Sequence, residues 1–223
     1  CTPADAVISA QVEGIERVRL GSLEADTLTD GEIQRLKACG RLCPHFHLSL
    51  QSGSDTVLQR MKRRYTTAEY YALVQKLREA FPGCAITTDI MVGFPGETDE
   101  EFAESMAFAE KVGFAKIHVF PYSIRRGTVA AMRTNQVVPQ IKSARAKEMN
   151  RLAERLERQF LESRTGTIQT VLIEKRTSPD YCNGFTDSYI PVRIYGEDIT
   201  RHTLAKVKIT GVEGDHCTGT TEF

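Results

Sequence analysis

The sequence contains no tryptophan, and aromatic residues make up only 8% of its 223 residues. It also has no net charge, because 29 lysines and arginines balance 29 aspartates and glutamates. This balance excludes a polycation that holds nucleic acid by bulk electrostatics, so any such contact must come from a local patch. Long hydrophobic runs are missing as well: no stretch approaches the roughly 18 consecutive apolar residues of a membrane span.

The first residues lack the basic segment, apolar core and small-residue cleavage site of a secretory signal. A disulfide framework is not expected either, because the cysteines are scattered through a chain large enough to bury a core. The six are Cys1, Cys39, Cys43, Cys84, Cys182 and Cys217. We therefore expect reduced thiols and a cytoplasmic location.

The first two thirds of the chain alternate short apolar runs with helical patterns. Strands are predicted at residues 17–21, 45–50, 84–92 and 116–121, and helices at residues 30–38, 54–61, 67–80 and 99–112. Strands that alternate with helices form βαβ units and a parallel sheet. Ligands of such sheets bind at the carboxyl ends of the strands, so the loops of interest are 22–24, 51–55, 93–97 and 122–128.

Three of the helices begin with a Thr three residues before a Glu, which is the pattern of a capping box. The pairs are Thr29 with Glu32, Thr66 with Glu69, and Thr98 with Glu101. The residues before 17 are predicted to end a helix that leads into the first strand. Four parallel strands are too few for a closed barrel, so either the sheet is open or the barrel lacks its first strands, and we favour an α/β barrel that is incomplete at its N-terminal end.

A long helix is predicted at residues 140–163, followed by short alternating runs typical of a small antiparallel β-barrel. The runs begin at Thr167, Tyr189, Thr203 and His216, and turns are predicted at residues 178–180, 183–184, 196–198 and 211–214. We place the domain boundary near residues 164–166, which gives domains at 1–164 and 165–223. The apolar stripe predicted on the long helix consists of Ile141, Met149, Leu152, Leu156 and Phe160.

The segment from Arg125 to Arg158 holds nine cations and three anions, a local excess of six positive charges in a neutral chain. On the long helix, Lys147, Arg151 and Arg158 share one face. That face is either a solvated surface with Glu–Arg pairs or part of a patch that binds RNA phosphates. The segment after residue 164 has six cations against eight anions, so RNA binding there would depend on shape and on stacking by Tyr189 or Tyr195.

Two loops carry residue types suited to a small polar ligand. In GFPGET (93–98), glycines between a strand and a capped helix allow close approach of the backbone, and the free amides favour an anion. In QSGSD (51–55), small polar side chains could bind a ribose or an amino acid, or could cap the next helix. Asp89 would be satisfied by either a salt bridge or a ligand, and Glu24 could bind an ammonium or ribose, or be solvated.

Two patterns could suggest metals. His45 and His47 point to one face of a strand, but no third ligand accompanies them, which favours packing. Cys39 and Cys43 are not followed by a third cysteine at cluster spacing, and they lie between a helix and a strand. We therefore predict no metal ligands in this chain.

Five ordered motifs lie at the predicted strand ends: RVRLGSLE (17–24), LCPHFHLSLQSGSD (42–55), MKRRYTTAEY (61–70), TTDIMVGFPGETDEEF (87–102) and HVFPYSIRRGTVAAM (118–132). Together they strongly resemble the radical S-adenosylmethionine methylthiotransferases. NGFTDSYIPV (183–192) resembles the RNA-binding TRAM domain that ends these enzymes. Within the family, the chain is most similar to the branch that modifies threonylcarbamoyladenosine beside the tRNA anticodon.

The resemblance implies a partial (β/α)6 radical-SAM barrel followed by a TRAM-like β-barrel. It also implies S-adenosylmethionine and two 4Fe-4S clusters in the full-length enzyme. The family's CxxxCxxC loop and its second cluster domain precede the first strand seen here, so their ligands are absent from this sequence. We therefore expect this polypeptide alone to be inactive, and the partners to be tRNA and an electron-donor protein.

Site residues are carried over by matching motifs. The implied S-adenosylmethionine contacts are Gln51, Ser52, Gly53, Gly93, Glu97, Tyr122 and Ser123, with Glu24 and Asp89 as further ligand contacts. The residues expected to face RNA are Arg63, Arg64, Arg125 and Arg126, together with Lys147, Arg151 and Arg158 of the long helix. Two other functions stay open: a ribosomal-protein methylthiotransferase, and a non-catalytic RNA-binding protein that keeps the fold.

Overall fold

The computed structural model describes residues 2–10, 12–176, 178, 180–196 and 200–221. Its first part alternates helices and parallel strands. In chain order these are α1 (Pro3–Ser9), β1 (Ser22–Leu23), α2 (Asp30–Lys37), β2 (His45–Leu48), α3 (Asp55–Arg60), α4 (Thr67–Ala80), β3 (Ala85–Val92), α5 (Asp99–Val112), β4 (Lys116–Pro121) and α6 (Pro139–Glu162). The strands lie in the order β1-β2-β3-β4, and every pair is parallel. The predicted α/β architecture is therefore present.

The first strand lies later than predicted. Residues 17–21 do not form a strand, and within them only Val18 makes an isolated bridge, to Leu42. The reason is that two arginines in this segment face the C-terminal barrel. Arg17 donates hydrogen bonds to the carbonyl oxygens of Thr170 (2.7 Å) and Phe185 (3.2 Å), so this segment connects the two parts of the molecule.

Two of the three predicted capping boxes are complete, those of Thr66 with Glu69 and Thr98 with Glu101. At the third, the Thr29 hydroxyl accepts from the Glu32 amide, but the Glu32 carboxylate does not return to Thr29. It accepts instead from the Ala4 amide at 3.0 Å, which fixes α1 against α2. A tertiary contact has replaced half of the local motif.

Helix α6 covers the sheet beside β4 and ends under the second barrel. Of the predicted apolar stripe, Met149, Leu152 and Leu156 are buried, whereas Ile141 is 41% exposed. The middle of the stripe therefore packs in the core, whereas the first turn of α6 lies at the edge of the core. No helix in the described ranges is long and apolar enough to cross a membrane.

The second part is a closed barrel of five strands: β5 (Ile168–Arg176), β6 (Tyr181–Thr186), β7 (Pro191–Tyr195), β8 (Leu204–Glu213) and β9 (His216–Thr220), in the order β5-β6-β7-β9-β8. The predicted small β-barrel is present: four of its five strand pairs are antiparallel, and the β7–β9 pair is parallel. The turn predicted at residues 183–184 is wrong, because both residues lie inside β6. The interval between α6 and β5 contains the predicted domain boundary.

Position 184 in β6 requires glycine, because the neighbouring strand leaves no space for a side chain. A Cβ there would overlap the carbonyl oxygen of Leu172 and lie 2.8 Å from a Val171 methyl carbon. A glycine inside a strand commonly marks such a close backbone approach. The Asn-Gly pair that suggests a hairpin turn is therefore a packing feature of the closed barrel.

Gly184→Ala should lower the free energy of unfolding of the barrel by about 1–3 kcal/mol, because the added methyl group overpacks a closed interface. Urea denaturation followed by circular dichroism measures this loss. Gly211→Ala is the matched control, since its Cβ would meet only the Thr218 hydroxyl oxygen at 3.4 Å. Equal denaturation midpoints for the two variants would show that strand β6 does not pack as described.

Candidate active site at the carboxyl ends of the strands

The carboxyl ends of β2, β3 and β4 meet at one edge of the sheet. Beyond β2, the Gln51 amide donates to the Asp89 carbonyl oxygen, and the Met91 amide donates to the Gln51 carbonyl oxygen, both at 2.8 Å. Beyond β4, the Tyr122 amide donates to the Val92 carbonyl oxygen at 2.8 Å. The loops that follow these three strands therefore lie side by side, as expected for the ligand edge of a parallel sheet.

Gln51 holds an uncommon backbone conformation. Its φ is +72°, a region that residues other than glycine rarely occupy. Strained backbone of this kind persists where surrounding contacts fix it, and it concentrates at functional sites. The half-buried Gln51 side chain lines a pocket of about 310 Å³.

Ser52 and Gly53 are engaged inside the protein. Ser52 is fully buried, with its hydroxyl 3.1 Å from that of Ser105, and the Gly53 amide donates to the same Ser105 oxygen at 3.0 Å. A Cβ on Gly53 would lie 2.8 Å from the Ser105 Cα and the Phe108 Cβ. These two residues hold helix α5 against the end of β2, and contact with a ligand remains a prediction for them.

Glu97 is also committed internally. Its side chain is 1% exposed, and one oxygen accepts from the Gly93 amide (2.6 Å) and from Arg145 Nη1 (2.7 Å). Burial raises the pKa of Glu97 even though the Gly93 amide and the Arg145 guanidinium both favour the carboxylate. The GFPGET loop is therefore shaped by a buried ion pair from α6, and a direct ligand contact by Glu97 stays a prediction.

The start of α6 secures the neighbouring loop as well. Lys142 Nζ donates to the Tyr122 carbonyl oxygen at 3.0 Å, and its stem packs so closely on Gly93 that a Cβ there would overlap it. Gly93 has a φ of +71°, so both its conformation and its surroundings require glycine. Lys142 and Arg145 were counted in the predicted basic patch, but they act on the protein's own backbone.

Tyr122 carries a buried hydroxyl with no hydrogen-bond partner among the described residues. Its ring stands edge-on to Phe94, with the centroids 5.5 Å apart. Ser123, next along the chain, is exposed. The Tyr122 side chain packs with Val57 and Phe94, so contact of Tyr122 and Ser123 with a ligand stays a prediction.

The two further ligand candidates have partners elsewhere. Glu24 is half-exposed and accepts two hydrogen bonds from Arg63 Nη1, at 2.7 and 2.9 Å. Asp89 lies in β3, with one oxygen 3.4 Å from His47 Nε2. Asp89 therefore has a polar partner within the protein. For both residues, contact with a ligand stays a prediction.

The cations predicted to face RNA differ in availability. Arg64, Arg125, Arg126, Lys147 and Arg151 are exposed. No carboxylate partner is recorded for these five within the described part of the chain. Arg158 instead pairs with Glu162 at 2.8 Å. The basic surface that the structure offers is therefore smaller than the sequence count of nine cations indicates.

The two candidate stacking tyrosines of the TRAM-like barrel differ in their neighbours. The Arg19 guanidinium lies 3.8 Å from the centroid of the Tyr189 ring, and Phe185 stacks on the same ring with the centroids 4.7 Å apart. Tyr189 is nevertheless 44% exposed, and Tyr195 is 37% exposed and meets Tyr181 edge-on. The Tyr189 ring is therefore already stacked within the protein, and base stacking stays a prediction for both residues.

Within the described ranges, no group of three His, Cys, Asp or Glu residues could hold a metal ion. Cys39 and Cys43 are buried, and Cys1 lies outside the described residues. His45 packs against Tyr189, and burial lowers its pKa to about 4. These residues do not fit an iron–sulfur cluster, so no chemical step is assigned to one here.

Sequence reasoning missed two residues of the pocket beside Gln51. Lys62 and Arg133 both line it, opposite the apolar side chains of Met61, Met91 and Phe94. The available signal was the run of cations after Met61, from which the prediction took Arg63 and Arg64. Of that run, Lys62 and Arg63 line the pocket and Arg64 does not, which backbone conformation decides and a sequence pattern does not show.

Comparison with known proteins agrees with this geometry. The profile of the radical SAM superfamily matches residues 6–109. A threonylcarbamoyladenosine tRNA methylthiotransferase of Bacillus subtilis (strain 168) is 37% identical over 91% of this chain and 46% of its own. A tRNA-2-methylthio-N(6)-dimethylallyladenosine synthase of Symbiobacterium thermophilum is 36% identical over 92% of this chain and 44% of its own. The chain thus spans about half the length of these curated relatives.

Among solved structures, coproporphyrinogen III oxidase of Escherichia coli, a radical SAM enzyme, aligns with a TM-score of 0.54 at 20% identity. The alignment covers 65% of this chain and 33% of the oxidase, and it shows a shared fold. The oxidase therefore informs the fold alone, whereas the radical SAM profile and the two relatives show that the chain is similar to the radical SAM methylthiotransferases over most of its length. The parallel sheet is part of that barrel fold, and the small barrel is TRAM-like.

Arg145→Met should lower the free energy of unfolding by about 3–5 kcal/mol, because it leaves the Glu97 carboxylate buried without its partner. The matched control is Arg155→Met on the same helix. Arg155 pairs with Glu110 at 2.9 Å in solvent, so its loss should cost less than about 1 kcal/mol. Urea denaturation at about pH 7.5 compares the two variants.

The pH dependence gives a second check on the same pair. Because the pKa of Glu97 is raised in the folded state, folding binds a proton and this contribution to stability grows as pH falls. Removing Arg145 raises that pKa further. The loss of unfolding free energy caused by Arg145→Met should therefore be largest near neutral pH and smaller near pH 5. A loss that grows toward pH 5 would contradict a buried ion pair between Glu97 and Arg145.

Proposed function

We propose that this chain supplies the S-adenosylmethionine face and an RNA-binding surface of a tRNA methylthiotransferase. Its substrate is the threonylcarbamoyladenosine beside the anticodon. The observation that carries the proposal is the meeting of three strand ends around Gln51, Gly93 and Tyr122 in a chain related to such enzymes over nine tenths of its length. A cytoplasmic location follows, because the tRNA pool lies there.

In this proposal the residues of the strand ends orient the cofactor, which supplies radical chemistry when it is bound. Gln51 donates or accepts through its amide from the end of β2. Tyr122 offers its unpartnered hydroxyl and Ser123 its exposed backbone at the adenine edge. Glu97 acts through Gly93, whose amide it holds in place. An electron-donor protein completes the proposed set of partners.

The RNA is held chiefly by the exposed cations rather than by the TRAM-like barrel. Arg125 and Arg126 lie in the loop after β4, close to the strand ends, and Lys147 and Arg151 extend the positive surface along α6. Such contacts position the RNA through its phosphates and weaken with added salt. Tyr195 contributes a stacking surface on the barrel.

Gln51→Ala should weaken binding of S-adenosylmethionine by about 10-fold and leave tRNA affinity nearly unchanged, because it removes one polar partner of the ligand. Equilibrium dialysis with labelled S-adenosylmethionine and filter binding with tRNA measure the two effects. Gln34→Ala, an exposed glutamine on α2, is the control. Equal loss of both affinities would contradict this division of roles.

The substrate is tested in cells. A bacterial strain without its own threonylcarbamoyladenosine methylthiotransferase is complemented with the complete gene that encodes this chain, and its tRNA nucleosides are analysed by mass spectrometry. We expect the 2-methylthio derivative of threonylcarbamoyladenosine to appear. A methylthio group on dimethylallyladenosine or on a ribosomal protein instead would overturn the proposed substrate, and the absence of any product would overturn the activity.

A further inference from the structure

The pocket of about 310 Å³ beside Gln51, here called the side pocket, combines apolar and cationic side chains. Its apolar lining residues are Met61, Met91, Phe94, Val129 and Ala130, and its cations are Arg60, Lys62, Arg63 and Arg133. The side pocket opens at the same sheet edge as the proposed cofactor site. A ligand bound there would lie next to the reacting groups.

Two of the four cations are neutralised by the protein itself. Arg60 forms a two-point ion pair with Glu101, at 2.5 and 2.8 Å, which lowers the pKa of Glu101 to about 2. Arg63 is bound to Glu24. Lys62 also lines an adjacent pocket with Glu24 and Asp26, but within the described residues neither Lys62 nor Arg133 forms an ion pair. The side pocket therefore keeps two cations that no direct ion pair holds.

The positions of these two cations are built into the backbone. Lys62 has a φ of +58°, so Lys62 and Gln51 are two left-handed residues other than glycine that line the same pocket. The backbone around Arg133 is also held, because the Gly96 amide donates to the Asn135 carbonyl oxygen at 2.8 Å and Gln136 Nε2 donates to the Arg133 carbonyl oxygen at 3.0 Å. The backbone therefore places both residues beside the strand ends.

We propose that the side pocket selects the target nucleoside by binding a carboxylate on its N6 substituent through Lys62 and Arg133. The inference rests on the proposed function and deepens it. A threonylcarbamoyl group carries a carboxylate, whereas a dimethylallyl group is a hydrocarbon. The carboxylate satisfies the two cations, and the hydrocarbon would desolvate them without a partner, which a polar site rejects strongly.

A backbone phosphate could also place a negative charge near Lys62 and Arg133. The apolar lining distinguishes the two sources. Met61, Met91 and Phe94 suit the flat carbamoyl-adenine part of a modified base, whereas a phosphate would remain in water at the rim. The negative group bound by Lys62 and Arg133 is therefore the carboxylate of the modified base.

The test measures binding of anticodon stem-loop RNAs to the 223-residue chain by fluorescence anisotropy. Three RNAs are compared: one with threonylcarbamoyladenosine, one with its threonyl methyl ester, and one with dimethylallyladenosine. The chain should bind the carboxylate RNA about 10-fold more tightly than the ester or the dimethylallyl RNA. Lys62→Asn with Arg133→Gln should reduce that ratio to about 1, and asparagine tolerates the left-handed backbone at position 62.

Lys147→Gln with Arg151→Gln is the matched control, because it also removes two exposed cations. This control should weaken the binding of all three RNAs by the same factor and leave the ratio of their affinities unchanged. Thermal denaturation verifies that each double variant folds. If Lys62→Asn with Arg133→Gln is unstable, Lys62→Asn alone replaces it, and the preference for the carboxylate RNA should then fall by a smaller factor.

The outcomes separate the two proposals. A ratio that survives Lys62→Asn with Arg133→Gln would overturn the role of the side pocket while the proposed substrate stands. If the same variant weakened S-adenosylmethionine binding instead, the pocket would belong to the cofactor, which also overturns the inference. A wild-type chain that prefers the dimethylallyl RNA would overturn the proposed substrate together with the inference.

Discussion

The buried ion pair between Glu97 and Arg145 is the constraint on which the ligand edge depends. It joins the loop after β3 to helix α6, which begins more than forty residues later in the chain. Arg145 also binds the Glu97 carbonyl oxygen and the Asp99 carboxylate, so one guanidinium fixes the whole turn into α5. A buried arginine without these acceptors would be strongly unfavourable, and the loop is therefore held in a single arrangement.

The same use of charge explains why the basic surface is small. Several arginines and lysines in this neutral chain bind backbone carbonyls or nearby carboxylates, among them Arg17, Arg60, Lys142 and Arg145. Each such cation shapes a loop or joins two parts of the fold. Cations without a carboxylate partner then stand out, since only they keep a full charge for a ligand. Lys62 and Arg133 are of this kind, and they lie at the ligand edge.

The regular elements could be predicted because local rules decide them. Helices α4 and α5 and strand β4 begin and end at the predicted residues, since capping residues and apolar periodicity both point to the same limits. Errors arose where a distant contact decides. Arg17 turns from the sheet to the second barrel, and Gly184 serves close packing of two strands instead of a turn. The residues that Arg17 and Gly184 contact are not adjacent to them in the sequence, so local patterns do not predict these contacts.

The site shows the same division. Motifs locate the loops after β2, β3 and β4, because loops after parallel strands meet at one edge whatever their sequence, but the first predicted loop, 22–24, contains strand β1. Which side chain faces a ligand depends on backbone conformation and on buried partners, so Ser52 and Glu97 turn inward while Lys62 turns to the pocket. Tyr189 shows the same dependence in the C-terminal barrel, where the Arg19 guanidinium lies over its ring and Phe185 stacks on it. Contacts between residues far apart in the chain therefore decide which of the side chains named by a motif are already engaged, and a sequence pattern records only the motif.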